Sequence, residues 1–366
     1  MKNSRPFSVY KAFFLPGVIF LSVVMSGGYG TGRELAEYFG QGSPLGGFLG
    51  LTAVTALIWG AVAAVSFALV FRWRAYDYKS FFSRLLGRWW HVYEVGWIFS
   101  LVLVLAVIAS ASGEILFSLF SLPRGWGAAA TLFLCGFIAS KGEGAVSRFL
   151  SAWGFVLYAV FALLFALCFF KFGDAIKINL ASLPPSRGWA FGGLKYALYN
   201  LGSLPPAFFA IKHARSTGQA MTAGALAGVL AVIPAALLFL CMLGFYPQIM
   251  QSALPINAVF SALGSTPMVY AFNLALLGTL VETACGMIFS VITRFEQNYN
   301  KKAQKPPAAL APVISTLLLL AGAVLSSFGL KDLIKNGYGA MTWVFLAVFA
   351  LPVMTVGVRA LARGRG

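Results

Sequence analysis

Charged side chains are scarce. Of 366 residues only 10% are Asp, Glu, Lys or Arg, where a soluble domain carries about 25%. The acids number 10 and the histidines two, His91 and His213. No HExxH, P-loop, nucleophile–base pair or GxGxxG beside a strand can be built from them, so nothing here hydrolyses ATP. The four cysteines, Cys135, Cys168, Cys241 and Cys285, all fall inside apolar runs and none forms a CxxC pair. They give no basis for a disulfide or zinc site and read as small buried hydrophobes.

Apolar residues make up 60% of the chain and the formal net charge is +17. A soluble fold of this size could not hide that much apolar surface. A nucleic-acid binder would gather its bases on one water-soluble face. Here they sit in short gaps between long apolar runs. A soluble enzyme, a nucleic-acid-binding protein and a disordered tail are excluded. The composition implies an all-α polytopic membrane protein with the lipid bilayer as its surroundings. The basic start, Met1 to Lys11, resembles a signal peptide, but no A-x-A cleavage site follows and it is read as leading into a retained first span.

A helix needs about 20 apolar residues to cross roughly 30 Å of hydrocarbon. Ten runs qualify, with the fourth the shortest: 12–39, 45–71, 91–120, 125–140, 145–171, 190–211, 219–246, 267–293, 307–328 and 339–361. An amphipathic stretch at Pro255–Leu263 is too short and polar to cross and is expected at the surface. With the N-terminus inside, nineteen of the 27 Lys and Arg residues fall in inner segments and eight in outer ones. That bias places both termini in the cytoplasm, with a bacterial cytoplasmic membrane as the expected location.

The ten spans divide into five and five. Span 1 is interrupted by Ser26-Gly27-Gly28-Tyr29-Gly30-Thr31-Gly32 and span 6 by Asn200-Leu201-Gly202-Ser203-Leu204-Pro205-Pro206. Gly28 and Gly202 are 174 residues apart, and spans 2 and 7 begin at the same offset. Five is odd, so the second half enters the membrane from the opposite side: a 5+5 inverted repeat. Residues 1–171 form the first repeat, 172–189 an external linker and 190–366 the second repeat, with no separate soluble domain expected. Two interrupted helices at corresponding positions are the sequence pointer to a transporter binding site.

Gly costs a helix about 1 kcal/mol relative to Ala, and Pro about 3. Unpaired backbone in lipid costs several kcal/mol per group, so the breaks cannot face lipid. The half-helices starting after Gly32 and at Pro205 would aim N–H groups at the breaks, where they suit a carboxylate. The half-helices that end there would leave carbonyls for an ammonium group or a cation. Together they describe a small zwitterionic substrate. The bland alternative is close helix packing, as in GxxxG pairs.

Several polar residues in the spans carry two readings each. Glu282 shares a face of span 8 with Thr279 and Gly286, beside Thr283. It is either a coupling site for Na⁺ or H⁺ or a structural hydrogen bond to a neighbouring helix. Ser110 and Glu114, one turn apart on span 3, line the cavity, or Glu114 reaches interfacial water or Arg124. Glu94, at the inner end of span 3, is read as interfacial. Arg33 is an outer gate or simply the i,i+4 partner of Glu37. Tyr29 and Tyr199 border the breaks as gates or as packing.

This pattern resembles the LeuT-type fold of the amino acid–polyamine–organocation superfamily. The segment Ser26–Leu35, followed by Tyr38-Phe39, is similar to the glycine-rich first span of the YkvI-like transporter family. The resemblance implies substrate binding by the backbone of Gly27, Gly28, Gly30 and Thr31 and of Asn200, Leu201, Gly202 and Ser203. It also implies a possible Na⁺ site near Thr279 and Thr283, to which Glu282 is an unusual addition. Span 5 lacks the Lys of some proton-coupled relatives, and span 10 lacks an acid to pair with Arg33.

The expected function is ion-coupled secondary transport of an amino acid or similar zwitterion by alternating access, with no enzyme activity and no cofactor beyond the ion. Two rivals stand: a channel, which needs a continuous polar path, and a transporter-fold ligand sensor. Substrate, ion and oligomeric state are left open. Glu282→Gln is expected to impair uptake or uncouple it from the ion gradient in a folded protein. Coupled uptake at the wild-type level would remove Glu282 from the mechanism.

Overall fold

The structure, a computed structural model, describes residues 9–25, 27–140, 143–264, 266–300 and 305–363. Among these residues the secondary structure is helical, without a strand. Six helices are long and apolar enough to cross a membrane: Pro44–Trp73, Tyr78–Phe120, Ala159–Ala181, Thr217–Leu243, Thr266–Glu296 and Leu330–Ala362. Three shorter apolar helices accompany them, Tyr10–Val24, Arg124–Ala139 and Leu310–Ser326. Every expected run is occupied by helix, but length alone accounts for six crossings and not ten. Spans 4 and 9 are 17 residues each, about 25 Å at 1.5 Å per residue, and spans 1 and 6 are broken.

The span boundaries follow the apolar runs except where polar residues continue a helix. Span 5 is part of a helix over Glu143–Ala181, so Phe172 to Ala181, expected as linker, is helical. Lys171, Asp174, Lys177 and Asn179 hide that continuation from an apolar count. Span 10 starts at Leu330 for the same reason, with Lys331, Asp332 and Lys335 in its first turns. Its course includes π-helical stretches at Leu333–Tyr338, Leu346–Ala350 and Val353–Gly357.

Spans 2 and 7 form a close seam. A Cβ on Gly224 would come within 2.4 Å of the Ala63 backbone, and one on Gly228 within 2.3 Å of the Gly60 nitrogen. Gly60 lies opposite Gly228 and Ala63 opposite Gly224, so the numbering rises along one helix as it falls along the other. These two helices correspond in the two halves of the chain, and their antiparallel contact is what an inverted repeat requires. Without water to drive helices together in lipid, such contact comes from small residues that let backbones approach.

Span 3, Trp90–Phe120, runs through the middle of the protein and packs on spans 4, 8 and 9. Its Leu103–Ala109 stretch is buried throughout. The helix Pro255–Leu263 forms where expected, but it does not lie free on the surface. Ile256, Val259 and Phe260 are buried, and the Ile256 N–H donates to the Thr31 carbonyl at 3.2 Å. It covers the span 1 break from one side. The four cysteines are buried and free. Cys285 lies against Cys135, its Sγ 3.5 Å from the Cys135 carbonyl oxygen.

The seam between spans 2 and 7 leaves no room for a side chain. Gly228→Leu is expected to cost ~1–3 kcal/mol or more through overpacking, read as a lowered Tm and a poorer monodisperse yield in detergent. Gly218→Ala on the same helix, where a Cβ meets nothing within 4 Å, is expected to behave like the wild type.

Candidate functional site

Both expected breaks are present. The first helix of span 1 ends at Val24 and Met25 leaves helical geometry, with ψ 48°. One turn follows over Gly27–Gly30, and a second helix runs over Arg33–Phe39. Gly32 opens that helix at φ 78°, in the left-handed region where any other residue is strained. Ser26, expected in the substrate site, lies outside the described residues. Gly27 and Gly28 lie in the turn, while Tyr29 and Thr31 are wholly buried.

Span 6 breaks differently. Its α-helix, Trp189–Asn200, gives way to 3₁₀ turns over Leu201–Ser203 and Pro205–His213. Pro205 and Pro206 cannot donate, so the α-helical ladder fails and i→i+3 bonds replace it. Leu204 N–H donates to the Leu201 carbonyl and Ala207 N–H to the Leu204 carbonyl. The N–H groups expected to be free for a carboxylate at the start of this half-helix are therefore missing or occupied.

The N-terminal half of span 1 packs on the 3₁₀ half of span 6, and the C-terminal half of span 1 on the α-helical half of span 6. A cavity of about 320 Å³ opens beside the breaks. Ser22 and Val23 of span 1, Gly202 and Pro206 of span 6 and Glu282, Thr283 and Gly286 of span 8 line it, with Trp97 of span 3. A second cavity of about 20 Å³ touches Tyr199, Asn200, Gly202, Ser203 and Tyr338. Trp97 also lines a third, of about 240 Å³, with Tyr78, Glu94 and Arg294. The three share Trp97 and lie on the N-terminal side of the span 1 break.

The opposite side is closed by hydrogen bonds. Arg33 is 3% exposed. Its Nη1 donates to the carbonyls of Met250 and Ser252 at 2.8 Å each, and its Nη2 to Glu37 at 3.0 Å. The i,i+4 pair with Glu37 is present, and the same guanidinium also holds the loop before Pro255. Lys331 Nζ donates to the Gln251 carbonyl at 2.6 Å, Tyr246 to the Gly42 carbonyl at 2.6 Å and Tyr38 to the Ile334 carbonyl at 3.3 Å.

The remaining candidates divide. Glu282 and Thr283 meet in the large cavity, whereas the buried Thr279 hydroxyl donates to the Ala275 carbonyl of its own helix at 3.1 Å. Asn200 Nδ2 donates to the Tyr196 carbonyl at 3.1 Å, and Leu201 is fully buried. Glu114 is drawn to Arg124 at 2.6 Å in a partly exposed pair. Ser110 is not among the lining residues of these cavities; span 3 contributes Ser100 and Trp97 instead. Glu94 joins Arg294 of span 8 at 3.0 Å and accepts from Tyr78, in the helix between spans 2 and 3, at 3.0 Å. Among the described residues no cluster of three or more His, Cys, Asp and Glu could hold a metal ion.

Sequence reasoning passed over Glu34. This carboxylate is 1% exposed, and the Tyr199 hydroxyl of span 6 donates to it. Tyr199 is itself stacked between Tyr38, with centroids 5.5 Å apart, and Tyr338, at 4.8 Å. The signal in the sequence was an acid within membrane depth two residues past the last glycine of the break.

No family model and no curated protein matches the sequence. Solved structures do. The chain is similar to MhsT in complex with L-phenylalanine, at 14% identity and a TM-score of 0.56 over 98% of this chain and 97% of that one. It is similar to a Na⁺-coupled sialic acid symporter in a substrate-bound outward-open state, at 13% identity and a TM-score of 0.54 over 95% and 87%. A manganese transporter of Eremococcus coleocola matches at 12% identity and a TM-score of 0.50 over 100% and 91%. These likenesses span the whole chain and establish the LeuT-type fold.

Arg33→Ala would leave two backbone carbonyls and Glu37 without their donor, at ~1–3 kcal/mol. Amide hydrogen exchange over residues 249–256 is expected to speed up about tenfold per 1.4 kcal/mol lost. Unchanged exchange there would show that Arg33 does not hold this side shut.

Proposed function

We propose that the protein is an ion-coupled secondary transporter of a small polar solute, an amino acid or similar zwitterion, working by alternating access. The observation that carries this reading is the one-sidedness of the site. A cavity reaches the span 6 break, and Val23 just before the span 1 break, from the N-terminal side of span 1, while Arg33, Lys331 and the Pro255–Leu263 helix close the other. With both termini in the cytoplasm of a bacterial cell, this is the inward-facing state. A channel would need both sides open at once, so the geometry favours a carrier over that rival.

The substrate would sit between the backbone of Gly27–Thr31 and that of Asn200–Ser203, with Glu282 and Thr283 across the cavity. The partners of the likenesses support the solute class: L-phenylalanine and sialic acid both carry a carboxylate. The similarity of the Ser26–Leu35 segment to YkvI-like transporters points the same way. The ten-crossing count belongs to this reading too, since the short and broken helices must traverse for the inverted repeat to close.

The test is uptake of an amino-acid panel into proteoliposomes under imposed Na⁺ or H⁺ gradients. Saturable uptake with counterflow is expected. Non-saturable flux would favour the channel, and solute binding without flux the ligand sensor. Gly202→Leu would press its side chain onto Phe345, which a Cβ already meets at 2.5 Å, and is expected to abolish uptake.

A further inference from the structure

The deepest carboxyl group in the described residues is not the one facing the large cavity. Glu34 sits on the outer half of span 1, one residue from the sealing Arg33, and is 1% exposed. Tyr199 donates to its Oε2 from span 6, and the backbone of Tyr29 hydrogen-bonds the same carboxyl. Burying an ionised carboxylate is costly unless a cation compensates it. Arg33, though adjacent in the chain, is committed to Glu37, Met250 and Ser252. The titratable groups that face Glu34 from the elements around it are Tyr196 and Tyr199 of span 6, Tyr338 of span 10, and Tyr29, Tyr38 and Glu37 of span 1. All are phenols or an acid. Among the described residues no ion pair joins Glu34 to a basic side chain.

A path leads from this group toward the breaks. Tyr199 and Tyr338 both line the small cavity of about 20 Å³, room for one water. That cavity shares Val23, Trp97, Gly202 and Met287 with the 320 Å³ cavity. Tyr199, whose hydroxyl is donor and acceptor at once, therefore touches both the buried carboxyl and the small cavity.

We propose that Glu34 is a proton-exchange site and that the Tyr199 hydroxyl relays its proton to the cavity at the helix breaks. The inference rests on the transporter reading only for its purpose, coupling to a proton gradient. In the release step the Tyr199 O–H turns from Glu34 to a water in the small cavity; the O–H bond of the Glu34 carboxylic acid then breaks and its proton passes to the Tyr199 oxygen. The proton already on that oxygen leaves to a water in the small cavity. Glu34 is left as a carboxylate, Tyr199 is unchanged, and one proton has reached the aqueous side. Uptake reverses these transfers. It occurs from the other side once Arg33 lets go of Met250 and Ser252.

The proton is the probe, so the deciding experiment needs no substrate. Infrared pH-difference spectra of the protein in lipid nanodiscs are expected to show the C=O stretch of a protonated carboxylic acid at neutral pH. The band should shift in D₂O, fade as pH rises, vanish in Glu34→Gln and persist in Glu282→Gln. A spectrum without that band, or a band untouched by Glu34→Gln, overturns the proposal. Should Glu34→Gln not fold, Tyr199→Phe removes one hydroxyl without changing the packing and must shift the band; an unshifted band is equally fatal. In proteoliposomes the ratio of pH-gradient-driven accumulation to exchange is expected to drop at least tenfold in Glu34→Gln. Accumulation driven by Na⁺ alone, indifferent to that substitution, sinks the proton role and leaves the transporter reading standing.

Discussion

Backbone hydrogen bonds in hydrocarbon cannot be left unmade, and the architecture around spans 1 and 6 answers to that constraint. Each break gives up part of an α-helical ladder at membrane depth, where several kcal/mol ride on every unpaired group. The protein meets the demand in two different ways. At span 6 the chain tightens into 3₁₀ turns, so that prolines without N–H groups cost few further bonds. At span 1 the chain opens around Gly32, and a neighbour supplies what is missing: the Ile256 N–H reaches the Thr31 carbonyl. The repeat is thus symmetric in position and asymmetric in chemistry.

The same constraint explains why one face is shut. A loop carrying the carbonyls of Met250, Gln251 and Ser252 would be poorly satisfied near the membrane unless cations came to it. Arg33 and Lys331 do so from spans 1 and 10. These contacts connect the two ends of the chain and can be exchanged for water, which is what a reversible seal needs. On the other side Glu94, Arg294 and Tyr78 border an open cavity.

Within this frame the aromatic cluster has a definite place. Tyr38, Tyr196, Tyr199 and Tyr338 surround Glu34 where the C-terminal half of span 1 and the α-helical half of span 6 meet span 10. Trp59 of span 2 fixes the same half of span 6 through the Ala197 carbonyl at 2.9 Å, and Thr342 of span 10 does so through Lys195 at 3.2 Å. A rigid wall of this kind lets one hydrogen bond, Tyr199 to Glu34, report on whether the two broken helices are docked.

Much of this was legible in the chain itself. Apolar runs placed the helices to within a few residues, because in lipid a segment's hydrophobicity alone selects its environment. Glycine and proline marked both breaks, because their backbone chemistry is local. Where polar residues prolong a helix, at Ala181 and Leu330, the apolar count fell short. The pairing of Glu34 with Tyr199, 165 residues away, the release of Ser110 from the cavity, the capture of Glu114 by Arg124 and the closing of one face were decided by tertiary structure. Each depends on which helix stands beside which, and in a bilayer that is settled by shape and hydrogen bonding between distant segments, properties no single run of residues carries.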